Sequence, residues 1–167
     1  MSTTPDNLAA AFAGESQANR KYLAFAKAAD SEGLSQVAHL FRAAAEAETV
    51  HAHNHLRVMG GVGTTADNLK AAVAGETYEF TTMYPDFIKA AEAEKSATAV
   101  RSFTLANTVE KIHAALYQKA AQAVAGGKDL PATVFFVCQT CGNTVEGAAP
   151  GQCPICGAAK IQFKKVD

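Results

Sequence analysis

The sequence predicts an all-α four-helix bundle followed by a small metal-knuckle domain. Three observations predict it. Residues 5–125 read as long alanine-rich helices, a composition suited to close helix packing. The two halves of that region repeat each other. The ligand-bearing residues are also segregated: all five histidines lie between His39 and His113, and all four cysteines between Cys138 and Cys156. The expected division is a helical domain over 1–126, a linker over 127–133 and the knuckle domain over 134–167. The linker follows from Gly126-Gly127-Lys128-Asp129-Leu130-Pro131, a helix stop and a turn-rich stretch.

Four helices are expected in order. Helix A runs from Pro5, which suits a first turn, to Glu32, and Gly33 ends it. Helix B runs from Ser35 to Met59 and stops at Gly60-Gly61. Helix C runs from Thr65 or Ala66 to Glu94, with a kink expected at Pro85. Helix D runs from Ser96 to Ala125.

These helices read as two copies of one hairpin. Asp6-Asn7-Leu8 matches Asp67-Asn68-Leu69, and Ala13-Gly14-Glu15 matches Ala74-Gly75-Glu76, both at an offset of 61. From Tyr22 onward the offset is 62: Tyr22 matches Tyr84, Phe25 matches Phe87, Phe41 matches Phe103, Glu48 matches Glu110 and His51 matches His113. The second copy therefore holds one extra residue between Glu76 and Tyr84. A helix absorbs one extra residue most simply as a π-bulge, a feature frequent at functional sites. The kink at Pro85 is the other way to absorb it.

The repeat carries the chemistry. Residues i and i+3 share a helix face, so Glu48-x-x-His51 and Glu110-x-x-His113 each present a carboxylate beside an imidazole. Glu15 and Glu76 stand one helix upstream at matching places. One Glu from each of two helices and a Glu-x-x-His from each of the other two is the donor set of di-iron carboxylate bundles. Two hard, redox-active cations need several anionic oxygens, and imidazole suits iron as well. A single Glu-x-x-His is usually a solvated pair; two related by a repeat, with matched glutamates upstream, point to metal. Glu79 has no carboxylate counterpart, since the first copy holds Gln17 and Ala18 there. It is either a surface glutamate or a seventh ligand that breaks the symmetry. Tyr22 and Tyr84 are core residues or phenols donating to a ligating carboxylate. His55, whose counterpart is Tyr117, reads as a neighbour of the metal site, and His39 and His53 read as surface residues.

Cys138-Gln-Thr-Cys141-Gly142 and Cys153-Pro-Ile-Cys156-Gly157 form two Cys-x-x-Cys knuckles around one metal, with glycine allowing each tight turn. Four thiolates hold zinc or iron, and spacing does not choose between them. The redox character of the bundle favours iron. So short a segment lacks a sufficient core, so the metal must hold its fold. Net charge is −1, from 15 basic and 16 acidic residues, which leaves no basic field for nucleic acid. No apolar run reaches membrane-spanning length, and Met1 to Leu8 lacks a basic-then-apolar signal, so a cytoplasmic protein is expected.

On these residues the sequence resembles the rubrerythrin family over nearly its whole length. The order is Gly14-Glu15, Glu48-x-x-His51, Gly75-Glu76-x-x-Glu79 with Met83-Tyr84-Pro85, Glu110-x-x-His113, then a rubredoxin-like segment with both knuckles, Lys160 and Phe163. The connection between helices B and C is shorter than in long-linker members. The resemblance implies a ferritin-like bundle with a C-terminal rubredoxin-like domain, and a non-haem peroxidase that reduces hydrogen peroxide to water. It implies a di-iron centre, oxo- or hydroxo-bridged when oxidised, and one iron in the site of Cys138, Cys141, Cys153 and Cys156. Glu48 and Glu110 would bridge the irons; Glu15, Glu76, Glu79, His51 and His113 would be terminal ligands. One iron would move between Glu79 and His51 as its oxidation state changes. Electrons would come from NAD(P)H through an external donor such as a rubredoxin and its reductase. Two rivals remain: a ferritin-like ferroxidase that handles iron, and a non-enzymatic protein whose tail is a zinc knuckle binding another protein.

Assembly is expected to be a homodimer with exchanged helix pairs. In a bundle with a pseudo-twofold between hairpins, helices B and C run parallel. Helix B then ends and helix C begins at opposite ends, roughly 30 Å apart at ~1.5 Å per residue. The six steps from Gly60 to Ala66 reach about 20 Å fully extended. Helices A and B of one chain would then pack with C and D of its partner.

Overall fold

The computed structural model describes residues 2–166. Its helices are α1 (Thr4–Ser31), α2 (Ser35–Val58), α3 (Thr65–Tyr78), α4 (Tyr84–Ala93) and α5 (Ala97–Ala125), with a π-helical segment, Glu79–Met83, between α3 and α4. Three short strands follow: β1 (Phe135–Cys138), β2 (Thr144–Glu146) and β3 (Phe163–Val166), with a 3₁₀ turn over Lys160–Gln162. The chain divides into two compact units, Met1–Gly63 and Thr64–Asp167. No helix among the described residues is long and apolar enough to cross a membrane.

The first unit is the α1–α2 hairpin. Thr3 and Asp6 cap α1 reciprocally: the Thr3 amide donates to Asp6 Oδ2 at 3.0 Å and the Asp6 amide to Thr3 Oγ1 at 3.4 Å. The hairpin core is built from Ala26, Ala29 and Ala38, with Phe41 packed against them. Such small side chains let two helices approach closely. Asn19 is the buried polar exception, and its amide donates to Ala45 O at 2.6 Å and Thr49 Oγ1 at 2.8 Å. It ties α1 to α2 across the hairpin.

The second unit repeats that plan and adds the strands. Thr64 and Asp67 cap α3 where Thr3 and Asp6 cap α1, with the Asp67 amide donating to Thr64 Oγ1 at 3.2 Å. The aromatic trio repeats as well. Phe25 and Phe41 ring centroids lie 5.5 Å apart with Tyr22 alongside, and Phe87 and Phe103 lie 5.6 Å apart with Tyr84 alongside. The extra residue of the second copy is absorbed by the π segment, directly before Pro85 in the first turn of α4. Helix C is therefore three consecutive segments. Gly33 (φ 76) turns the first hairpin, and its counterpart Lys95 (φ 59) holds the same left-handed conformation without glycine's freedom.

The strands form an antiparallel sheet in the order β2-β1-β3, with Val137 opposite Thr144 and Cys138 opposite Phe163. Cys138, Cys153 and Phe163 are its buried centre. This small domain rests on α5: Lys119 Nζ donates to both Glu146 carboxylate oxygens at 2.8 and 2.7 Å.

Candidate metal centres

Each helical unit gathers one carboxylate–imidazole triad. In the first, Glu15 from α1 meets Glu48 and His51 from α2, with a ligand atom of each within 4.8 Å of the others. His51 Nδ1 lies 3.1 Å from Glu48 Oε2 and 3.8 Å from Glu15 Oε1. In the second, Glu76 from α3 meets Glu110 and His113 from α5 under the same criterion. His113 Nδ1 lies 2.8 Å from Glu110 Oε2 and 3.8 Å from Glu76 Oε2. The two triads differ in enclosure: the His51 side chain is 55% exposed and that of His113 27%.

The carboxylates of each triad crowd one another electrostatically. Burial, a hydrogen bond with Glu110 and the charges of Glu110 and Glu79 push Glu76 up to about 7. In the first triad the hydrogen bond between the two glutamates raises Glu15 and lowers Glu48, which His51 lowers further. Carboxylates crowded this closely need a shared proton or a cation between them, and hard oxygens with imidazole suit iron, manganese or zinc. The donor set fits the metal it implies.

Glu79 opens the π segment and is not part of the Glu76–Glu110–His113 cluster. It still stands within electrostatic reach, since burial and then the Glu110 charge raise it while His113 lowers it. Tyr84 lies among the same carboxylates: burial raises its phenol, and Glu110, Glu79 and Glu76 raise it further. His55 sits close enough to lower Glu15 but is outside the triad. His39 and His53 are exposed.

The four cysteines form the third site. Cys138 Sγ lies 3.7 Å from Cys156 Sγ and Cys141 Sγ 3.6 Å from Cys153 Sγ, and all four are unbridged thiols. Metal–sulfur bonds of about 2.3 Å at tetrahedral angles set sulfurs about 3.8 Å apart. The knuckles are near copies. Gly142 N donates to Cys138 O at 2.8 Å and Gly157 N to Cys153 O at 2.9 Å, with both glycines at positive φ. Burial raises the Cys153 thiol, but the backbone N–H groups of Cys156 and Ile155 outweigh it and bring the thiol to about 6. Thiolate is the form a metal binds.

Sequence reasoning missed three supporting residues. Asn143 is 1% exposed and donates to Cys153 Sγ at 3.7 Å. Thr144 binds His113, and Asn19 braces the helix bearing Glu48. Asn143 alone left a signal, as a polar residue directly after a knuckle glycine.

Comparison with known proteins agrees with this geometry. Residues 6–121 match the Rubrerythrin family, and residues 136–164 match the rubredoxin-like domain of rubrerythrin. Rubrerythrin-2 of Clostridium acetobutylicum is 35% identical, covering 96% of this chain and 95% of its own. Nigerythrin of Nitratidesulfovibrio vulgaris is 36% identical, covering 98% and 86%. The solved structure of partially reduced nigerythrin superposes with a TM-score of 0.59 at 34% identity, over 99% of this chain and 88% of that one. The fold class is accordingly the expected one: a four-helix bundle with a small C-terminal three-stranded domain holding a four-cysteine knuckle.

Proposed function

Because the chain belongs to the rubrerythrin family, we propose that it is a non-haem di-iron peroxidase that reduces hydrogen peroxide to water. The observation that carries this reading is the pairing, in one chain, of two repeat-related Glu/Glu/His triads with a four-thiolate site. When bound, two ferrous ions would supply together the two electrons that peroxide takes, and two protons complete two waters. The chain's own residues have separate tasks. Glu15, Glu48 and His51 hold one half of the donor set, and Glu76, Glu110 and His113 the other. Tyr84, kept protonated by burial and the nearby carboxylates, is suited to donate a hydrogen bond to one of them. Glu79 supplies a further carboxylate on one side only. Cys138, Cys141, Cys153 and Cys156 would hold an iron, whose chemistry there would be one-electron transfer from an external donor such as a rubredoxin and its NAD(P)H-linked reductase.

The proposal includes a homodimer with exchanged helix pairs. It is supported by the short connection between α2 and α3, and by the two hairpins falling in different compact units, each with one of the two triads.

Metal analysis of protein purified without air, with visible spectra before and after peroxide, tests the function. The expected result is red iron in the thiolate site, two irons in the bundle and steady peroxide consumption with reduced rubredoxin. Accumulation of ferric iron without donor-driven turnover would instead make it a ferroxidase. A colourless protein with zinc in the knuckle and no turnover would make it a binding protein.

A further inference from the structure

The second triad has a brace that the first lacks. His113 Nε2 lies 2.9 Å from Thr144 Oγ1, a hydroxyl of β2 in the small domain, 31 positions along the chain. The same hydroxyl lies 3.2 Å from Gly142 O, oriented to donate to it. A threonine hydroxyl has one proton. With that proton given to the Gly142 carbonyl, the oxygen is free to accept from His113 Nε2. A metal held by the triad would take Nδ1 and leave the ring's proton on Nε2, the tautomer this hydroxyl receives. Nδ1 lies 2.8 Å from Glu110 Oε2 and 3.8 Å from Glu76 Oε2, so the ion it would bind is shared with those oxygens.

The placement of Thr144 is over-determined. It pairs with Val137 in the sheet, and two residues on, Glu146 is held by Lys119 of α5. The Gly142 backbone also lies against α5, where an added Cβ would sit 3.7 Å from Val109 Cγ1. The hydroxyl is thus delivered to the ring by two attachments to the helix that bears His113. His51 has no such partner on its Nε2 among the described residues, and its side chain is twice as exposed.

We propose that Thr144 is a positioning residue: it fixes the tautomer and orientation of His113, and so makes the triad of the second hairpin the pre-formed half of the bundle's metal centre. The consequence is a functional dependence of the bundle on the small domain beyond electron supply, since the knuckle backbone at Gly142 and a bundle ligand share one hydroxyl. This inference rests on the reading of His113 as a metal ligand.

The test uses the full chain with its knuckle filled, zinc added as the bundle probe, and ¹⁵N-labelled histidine rings. In the wild type the His113 Nε2–H should exchange with solvent at least tenfold more slowly than that of His51. Equal rates would overturn the proposal without any variant. Thr144→Val keeps the shape but removes the hydroxyl; it should abolish the protection and weaken zinc binding in the bundle about tenfold, the scale on which such outer partners act. Thr144→Ser should restore both. Unchanged protection and affinity in T144V would refute the role of the hydroxyl. Failure of the wild-type bundle to take zinc, iron or manganese at all would instead remove the metal reading on which the proposal stands.

Discussion

His113 Nδ1 lies 2.8 Å from Glu110 Oε2, and its repeat counterpart His51 Nδ1 lies 3.1 Å from Glu48 Oε2. Each pair is one turn of helix presenting two donors to one point. Replacing either half of a pair should therefore weaken its site more than loss of an outer hydrogen-bond partner would. Glu110→Ala is expected to lower bundle metal binding by more than the roughly tenfold typical of such partners, while leaving the thiolate iron in place. Metal content by elemental analysis, with the visible band of the thiolate site as the internal reference, checks this. Equal loss at both sites would mean that the substitution unfolds the chain.

Glu79 has no counterpart in the first copy and opens the π segment. Glu79→Ala should still bind two metals in the bundle but be oxidised more slowly by peroxide. Stopped-flow single-turnover oxidation of the ferrous protein measures it. A rate equal to wild type would show that the asymmetric carboxylate has no part in the reaction.

The Glu76 carboxyl, ordinarily near 4.5, is raised to about 7 in the folded metal-free chain. A raised carboxyl favours the protonated folded form, so its contribution to stability is fully present below 4.5 and is lost as pH rises through 7. With the bundle empty and the knuckle filled, thermal stability should fall across that window. A cation replaces the proton, so metal uptake at pH 6 should release protons. Calorimetry in buffers of different ionisation enthalpy reads that release. Uptake with no proton release would contradict the shared-proton account of Glu76 and Glu110.

If the thiolate iron relays electrons, Cys141→Ser should separate two activities. A single oxidation of iron-saturated bundle by peroxide should persist, while steady-state turnover with reduced rubredoxin should drop at least tenfold. Undiminished steady-state turnover would remove the relay role.

The exchanged dimer is tested by a mixed one. One chain carries Glu15→Ala and Glu48→Ala, the other Glu110→Ala and His113→Ala. With exchange, all four lesions fall in one site and the second stays intact, so the heterodimer should hold about half the bundle iron and remain active. An inactive heterodimer would refute the exchange.

The sequence by itself determined what helical periodicity and repetition encode. The spacing of Glu48 and His51, and of Glu110 and His113, is enough to put each pair on one face, because the helix fixes where residue i+3 goes. The change of offset placed one extra residue between Glu76 and Tyr84, with a π-bulge or the kink at Pro85 to absorb it; the π segment Glu79–Met83 lies inside that interval, because an inserted residue must be accommodated where it occurs. The two knuckles were legible for the same reason, since Gly142 and Gly157 close local turns. Only the tertiary structure decided which triad is braced. Thr144 reaches His113, Asn143 reaches Cys153, and Lys119 reaches Glu146 through the way a three-stranded sheet rests on α5. No periodicity links residues 144 and 113. Their contact depends on sheet register and on helix–sheet docking, which are set by packing among residues distant in the chain. The same holds for the unequal exposure of His51 and His113: the repeat makes the two hairpins alike, while the small domain touches His113 of the second through Thr144.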